Sequence, residues 1–132
     1  AALAGRDLAM TAGAQTRDFT HVDDVLDAYL CAALVPGVEG EIFNVATGVE
    51  TRILHAAVRI YALAGSTACP RPGELPYRPE EVWRSAADIS KARRVLGWAP
   101  RIEFEDGLRA TIDWYRRSGT VAAPARNSEN AR

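Results

Sequence analysis

A fixed cation lies at the start of the most informative segment of the chain, residues 16–26, which read Thr-Arg-Asp-Phe-Thr-His-Val-Asp-Asp-Val-Leu. Arg17 precedes a sharp change from β-branched and aromatic residues to the polar and acidic residues typical of a helix N-terminus. The planar guanidinium group of arginine binds phosphate oxygens through two parallel hydrogen bonds. The residues alone therefore leave three interpretations of Arg17: a phosphate-binding group, an exposed arginine on a strand, or a side chain paired with Asp18 or Asp23.

Two histidines, His21 and His55, raise the question of a metal site or a general base. Neither has a second ligand at a spacing such as H-x-x-x-H, so we expect no metal site. We predict that His21 orders the strand-to-helix turn and that Asp23 and Asp24 are first-turn acids facing the helix dipole. No residue of this chain is predicted to be catalytic.

The composition excludes several classes of protein. A chain of 132 residues suits one domain, and its net charge of −1 does not indicate binding to nucleic acid or to an acidic membrane. Cys31 and Cys69 have no motif spacing, so we predict free thiols. No stretch is long and apolar enough to span a membrane, and the N-terminus does not resemble a signal peptide. We expect a cytoplasmic protein.

Hydrophobic periodicity and turn residues predict an α/β fold. The predicted strands are 7–10 and 16–19, paired across a turn at residues 12–14, and a compact apolar strand at 41–45. The predicted helices are 22–34, 52–64, a short helix after Asp88 and 104–117. A proline-rich loop covers 66–81, and its length suggests a function. We predict one domain at 1–119, a disordered tail at 120–132, and packing roles for Trp83, Trp98 and Trp114.

Four segments follow one another in an order that carries a family resemblance. They are Arg17-Asp-Phe-Thr-His-Val-Asp-Asp-Val, Phe43-Asn-Val-Ala-Thr-Gly, Asp88-Ile-Ser-Lys-Ala-Arg-Arg-Val-Leu-Gly-Trp-Ala-Pro and Gly107-Leu to Trp114-Tyr-Arg. Together they resemble the C-terminal portion of an extended short-chain dehydrogenase/reductase, the family of NAD-dependent nucleotide-sugar epimerases and dehydratases such as UDP-glucose 4-epimerase. The resemblance implies a C-terminal substrate-binding lobe plus the last strand and helix elements of a Rossmann-type fold, whose N-terminal part is absent.

The resemblance also implies which residues bind substrate. The arginine that matches Arg17 reaches the diphosphate of the nucleotide-sugar in this family. A second diphosphate arginine precedes the Asp-Ile-Ser-Lys segment in an R-x-G-D/E motif. Arg78 and Glu81 keep the family's spacing of ten residues between that arginine and Asp88. The resemblance therefore assigns the second diphosphate contact to Arg78 and a ribose contact to Glu81.

A second pair of residues remains an alternate for that motif. Arg71 and Glu74 keep the glycine of R-x-G-D/E, whereas Glu80 stands where the glycine is expected in the first pair. Glu80 departs from the family pattern, because it removes a residue suited to a left-handed backbone and adds an acid near the phosphates. The loop could also be a solvated, proline-stiffened connector.

Two parts that the family's chemistry requires are missing from this sequence. One is the G-x-x-G-x-x-G turn that approaches the NAD pyrophosphate, and the other is the catalytic Tyr-x-x-x-Lys pair. We therefore expect a truncated or partial gene product that is inactive alone and binds no cofactor alone, whereas the intact parent would use NAD. Because their usual partner sheet is absent, the helix at 22–34 and the strand at 41–45 should expose apolar surface.

The resemblance further implies the partners. We expect a UDP- or dTDP-sugar as ligand, the missing N-terminal NAD-binding half as a partner, and a homodimeric parent. The alternative is a non-catalytic nucleotide-sugar-binding or interaction module derived from this family, and a decayed remnant is a third interpretation. The sequence does not separate an epimerase from a dehydratase.

Overall fold

The computed structural model describes residues 1–119, and the predicted tail at 120–132 lies outside them. The predicted α/β class is confirmed. In chain order the elements are a 3-10 turn Ala2–Ala4, β1 Leu8–Met10, β2 Thr16–Arg17, α1 Val22–Leu34, β3 Thr51–Arg52, α2 Ile53–Leu63, β4 Pro70–Pro72, a π-helical turn Ala92–Leu96 and α3 Phe104–Arg117.

The three long helices lie where their apolar periodicity predicts them. The bounds of α1 and α3 agree with the prediction, and α2 is one residue shorter at each end. The short helix after Asp88 is instead largely a π-helical turn, and it ends at Gly97, whose φ of 64° is left-handed. The N–H of Trp98 donates to the carbonyl of Ala92 at 3.4 Å across this end. Glycine suits that position because it has no Cβ to clash.

The predicted hairpin of 7–10 with 16–19 is wrong. Strand β1 pairs in parallel with β4, and β2 pairs antiparallel with β3. The connection does not turn back because its carbonyls at Gly13 and Gln15 accept hydrogen bonds from Leu54 and Ile53, each at 3.0 Å. A Cβ on Gly13 would lie 2.7 Å from the Leu54 nitrogen, so this close approach to the start of α2 requires glycine.

The predicted strand at 41–45 is also absent from the structure. Its side chains alternate as in a strand: Phe43 and Val45 pack on the core, whereas Ile42 and Asn44 are exposed. However, the backbone of 42–45 makes no hydrogen bond to other backbone groups within residues 1–119. A strand is defined by such pairing, so the sequence pattern alone does not produce one here.

The core lies where α1 meets the π-helical turn. Ala28, Ala92, Leu96 and Trp98 form its buried centre. The predicted packing role is confirmed for Trp98, whose indole N–H donates to the carbonyl of Asp24 at 3.0 Å. The other two tryptophans lie half exposed at the surface, and each packs its ring against a tyrosine, Trp83 on Tyr77 and Trp114 on Tyr115.

One side of α1 is not covered by any described residue. We call this stripe the α1 apolar face, and its exposed members are Val22, Leu26, Tyr29, Leu30 and Leu34. Ile42 is exposed as well. The predicted exposure of apolar surface on α1 is therefore confirmed. No helix among residues 1–119 is long and apolar enough to cross a membrane.

Candidate functional site

The structure brings Arg17 of β2 against Glu81, which lies 64 residues later in the chain. The Nη2 of Arg17 donates to Oε1 of Glu81 at 2.9 Å, and the carboxylate is largely buried. The Nη1 of Arg17 donates at 2.6 Å to two backbone carbonyls, those of Thr16 and Val82. The guanidinium group is therefore held on two sides by oxygens of fixed position.

This arrangement leaves Arg17 with N–H donors that are available to a ligand. A guanidinium group has five N–H donors, and the contacts above use three of them. About a third of the side chain (33%) stays exposed. An arginine that is held in place and keeps donors for solvent can bind an anion with little loss of side-chain entropy.

Asp18 organises the backbone beside this arginine. Its Oδ1 accepts hydrogen bonds from the N–H and the hydroxyl of Thr47 at 2.9 and 2.5 Å, and its Oδ2 accepts from the N–H groups of Gly48 and Ala87 at 2.8 and 3.4 Å. Burial raises the pKa of Asp18, but these hydrogen bonds outweigh it and hold the pKa below its ordinary value of 3.8. Sequence reasoning missed this role, because the donors are distant in the chain.

A second carboxylate braces the same strand. The hydroxyl of Thr16 donates to Oε2 of Glu50 at 2.7 Å, and Arg84 donates to both oxygens of Glu50. The hydrogen bond from Arg84, followed by that from Thr16, holds the pKa of Glu50 below its usual range. Because Arg84 follows Glu81 closely, this brace fixes the loop that faces Arg17.

None of the other predicted ligand residues makes a hydrogen bond or an ion pair to Arg17. Arg78 is exposed and makes no hydrogen bond or ion pair to another residue of the described range. Arg71 lies in β4 and is committed to Asp7, with Nη2 2.6 Å from Oδ2. Glu74 is exposed in the loop after β4. Arg71 thus belongs to a different sheet from Arg17.

An aromatic pair, Tyr77 and Trp83, flanks the loop that carries Arg78 and Glu81. The two ring centroids are 4.7 Å apart, and the Tyr77 hydroxyl accepts a hydrogen bond from the N–H of Ala14 at 2.8 Å. The sequence did not predict this pair, because two aromatic residues six positions apart in a proline-rich loop match neither a helical nor a strand repeat. The aromatic types themselves were the available signal.

The two histidines make separate local contacts. His21 is the N-cap of α1, where its Nδ1 accepts the N–H of Asp23 at 3.3 Å, so its predicted role in the turn is confirmed. The ring of His55 lies against Phe104 instead. In the part of the chain that the structure describes, no group of three or more His, Cys, Asp and Glu residues could hold a metal ion.

A cavity of about 610 Å³ lies between the turn before α1 and helix α3. Its walls are mainly apolar and include Phe19, His21, Phe104, Leu108, Trp114 and Tyr115. Neither Arg17 nor Glu81 lines it. The cavity therefore is separate from the arginine site.

Comparison with known proteins identifies the family to which this chain belongs. The family model described as GDP-mannose 4,6 dehydratase matches residues 1–111. UDP-glucose 4-epimerase of Mycolicibacterium smegmatis is 41% identical over 120 residues, which cover 88% of this chain and 36% of that relative. The dTDP-glucose 4,6-dehydratase of Haemophilus influenzae is 36% identical over 114 residues, covering 78% of this chain and 33% of that relative.

A solved structure agrees with these relatives. UDP-glucuronic acid 4-epimerase of Bacillus cereus, in complex with UDP-glucuronic acid and NAD, matches with a TM-score of 0.72 and 28% identity. The match covers 85% of this chain and 35% of that one. The chain belongs to the extended short-chain dehydrogenase/reductase family of nucleotide-sugar epimerases and dehydratases, within the group matched by the GDP-mannose 4,6 dehydratase model. It spans about a third of the length of these relatives.

The residues of this chain do not fit the NAD that such enzymes use. A dinucleotide pyrophosphate is held at a helix N-terminus opened by a glycine-rich turn. The described α-helices begin after His21, Arg52 and Glu103, and none of them follows such a turn. The sequence also contains no Tyr-x-x-x-Lys.

Proposed function

We propose that this chain is the C-terminal, nucleotide-sugar-binding part of an NAD-dependent epimerase or dehydratase, and that it is not catalytic by itself. The observation that carries the proposal is the Arg17–Glu81 pair at 2.9 Å, with the guanidinium held by two carbonyls. In the proposal Arg17 and Arg78 bind the diphosphate of a UDP- or dTDP-sugar, and Glu81 binds the ribose.

The charges explain why two arginines are needed. Glu81 neutralises much of the charge of Arg17, so Arg17 alone would bind a diphosphate weakly. Arg78 lies three residues before Glu81 and has no carboxylate partner among the described residues, so it can supply the second positive charge. An ionised carboxylate accepts hydrogen bonds but donates none. Glu81 therefore suits ribose hydroxyls rather than phosphate oxygens.

The geometry favours this set over the alternate residues Arg71 and Glu74. Arg71 donates to Asp7 through both Nε and Nη2, at 2.7 and 2.6 Å. The hydrogen bond and charge of Asp7 raise the pKa of Arg71 further above its ordinary range. Arg71 thus has a structural partner, whereas Arg78 is available to a ligand.

The proposal includes a protein partner. The backbone of 42–45 makes no hydrogen bond to other backbone groups of residues 1–119, and no residue in that range covers the α1 apolar face. We propose that the NAD-binding half of the parent enzyme covers it. This surface favours an incomplete lobe over a self-sufficient binding module, because an independent module would not leave such a stripe in water.

The test is calorimetric titration of the purified chain with UDP, beside the double variant Arg17→Ala, Arg78→Ala. Removing two charge-assisted contacts should lower the affinity by about a hundredfold, since each is worth roughly 1.5 kcal/mol. The matched control is Arg6→Ala, Arg93→Ala, which removes the same charge from two exposed positions. The control should bind UDP as the unaltered chain does.

Two results would contradict the assignment. Equal losses of affinity in both double variants would mean that UDP responds to net charge and not to a site. Unaltered binding in the double variant at Arg17 and Arg78 would place the diphosphate elsewhere. Turnover of a nucleotide-sugar by the purified chain with added NAD would contradict the proposed lack of catalysis.

A further inference from the structure

The aromatic pair Tyr77 and Trp83 is held rigidly at the surface. Its rings are 4.7 Å apart at an interplanar angle of 56°, a geometry favoured by aromatic pairs. The hydrogen bond from the N–H of Ala14 fixes the Tyr77 hydroxyl. Trp83 nevertheless leaves 53% of its surface exposed. The indole of Trp83 is therefore solvent-exposed and held in place by Tyr77, so its ring is available to a ligand.

The position of the pair ties it to the arginine site. Tyr77 directly precedes Arg78, and Trp83 follows Glu81 by two residues. The carbonyl of Trp83 accepts the N–H of Thr16 at 2.8 Å, one residue from Arg17. The backbone that presents the exposed indole is therefore bonded to the strand that presents the phosphate-binding arginine.

We propose that Tyr77 and Trp83 form a stacking platform for the base of the nucleoside diphosphate whose phosphates bind Arg17 and Arg78. The inference rests on the proposed function and adds the group that recognises the base. Every base has a π-face, so an aromatic platform binds a pyrimidine without hydrogen-bond readout. A platform next to the diphosphate contacts is where the base of the same ligand can reach an aromatic surface.

The competing explanation is structural. The two rings could act only as a clamp that closes the loop 78–82 and holds Arg78 and Glu81 in place. A clamp and a platform differ in which ligands respond to a substitution. Loss of a clamp disorders the phosphate contacts, so every ligand with a diphosphate binds more weakly. Loss of a platform affects only a ligand that carries a base.

The experiment compares UDP with inorganic pyrophosphate on the full chain by calorimetry. We expect Trp83→Leu to weaken UDP binding about tenfold, the size expected for loss of one stacked base, and to leave pyrophosphate binding unchanged. Trp83→Phe should retain most of the UDP affinity, because it restores an aromatic face. The matched control is Trp114→Leu, which removes an equally exposed tryptophan (55%) that also contacts a tyrosine, Tyr115, on α3.

Each other outcome overturns the inference. Equal weakening of UDP and pyrophosphate by Trp83→Leu would show a clamp, and no change in either would show a ring without a role in binding. A loss seen with UDP-glucose but not with UDP would assign the rings to the sugar. If the unaltered chain binds neither probe, the proposed function fails and the platform fails with it. In each of the other outcomes, pyrophosphate binding that is lost in Arg17→Ala would still support the proposed function, although the platform is rejected.

Discussion

At the scale of single residues, Asp18 shows how one carboxylate holds two distant chain segments beside the candidate site. It follows Arg17 directly and accepts backbone N–H groups from Thr47, Gly48 and Ala87. These donors come from the turn before β3 and from the segment after the aromatic pair. Asp18 therefore positions the neighbourhood of Arg17 without itself presenting a group to a ligand.

We predict that Asp18→Asn lowers the free energy of unfolding by about 2 kcal/mol at neutral pH, because an amide nitrogen cannot accept the N–H groups that one carboxylate oxygen now accepts. The matched control is Asp27→Asn, an exposed acid on α1. Urea denaturation of the three proteins checks this. A loss as large in the control would attribute the effect to charge and not to the hydrogen bonds.

The same variant has a pH dependence of known sign. The folded pKa of Asp18 is below its ordinary value of 3.8, so its contribution to stability is fully present above that value. It is lost as the pH falls through the lower folded pKa, because the unfolded chain then binds the proton more readily. The difference between the chain and Asp18→Asn should therefore shrink as the pH falls below 3.8.

Sequence could identify some site residues but not their partners. The family resemblance selects Arg17 and, through the family's spacing to Asp88, Glu81, which the structure brings to Arg17. The contacts of Asp18 and the stacking of Tyr77 on Trp83 depend on how distant segments fold together. No local pattern encodes such contacts, so they could not be predicted.

At the scale of elements, Asp24 joins α1 to the chain that enters α3. Sequence predicts a first-turn acid facing the helix dipole, but the side chain is buried (2% exposed). Its two carboxylate oxygens accept the N–H groups of Arg101 and Ile102 at 2.9 and 3.1 Å. Its carbonyl accepts the indole N–H of Trp98. One residue thus connects α1, the core tryptophan and the start of α3.

We predict that Asp24→Asn destabilises the fold by about 2 kcal/mol, because the amide nitrogen of asparagine cannot accept the partly buried backbone N–H group that then faces it. Asp23→Asn changes the neighbouring acid, which is exposed and also lies in the first turn. This control should cost less than about 1 kcal/mol, the usual size of a helix-dipole effect. Equal losses of unfolding free energy in the two variants, measured by urea denaturation, would show that Asp24 acts only through the helix dipole.

The helices were predictable, and the strands were not, for a physical reason. Helical hydrogen bonds are local, so the apolar periodicity of α1 and α3 is enough to place them. A strand needs a partner, and the partner of β1 is β4, some sixty residues away. The segment 41–45 has the alternation of a strand but no backbone partner within residues 1–119. The alternation of apolar residues therefore predicts a tendency to form a strand, and backbone pairing with another segment decides whether the strand forms.

At the scale of the whole molecule, the α1 apolar face is the largest apolar feature that the described residues leave uncovered on a helix. A helix in a complete domain buries its apolar stripe, whereas here Leu30 and its neighbours on that face are exposed. The chain spans only about a third of the length of its relatives. The exposed α1 apolar face, and the two thirds of the relatives' length that this chain does not span, both agree with the proposed partner, the NAD-binding half of the parent enzyme.

We predict that the purified chain binds a fluorescent hydrophobic dye and self-associates through this face. Leu30→Arg, which places a charge on an α1 position that is 61% exposed, should reduce both effects without loss of a cooperative melt. The matched control is Val58→Arg, at a 47% exposed position of α2 outside the face, and it should change neither. Dye fluorescence and sedimentation velocity provide the two measurements. Equal effects of both substitutions would show that dye binding and self-association do not depend on the α1 apolar face.

A second experiment mixes the chain with the remaining part of the M. smegmatis epimerase. Suppression of dye binding would place the NAD-binding half on α1. Undiminished dye binding in a stable complex of the two would place it elsewhere.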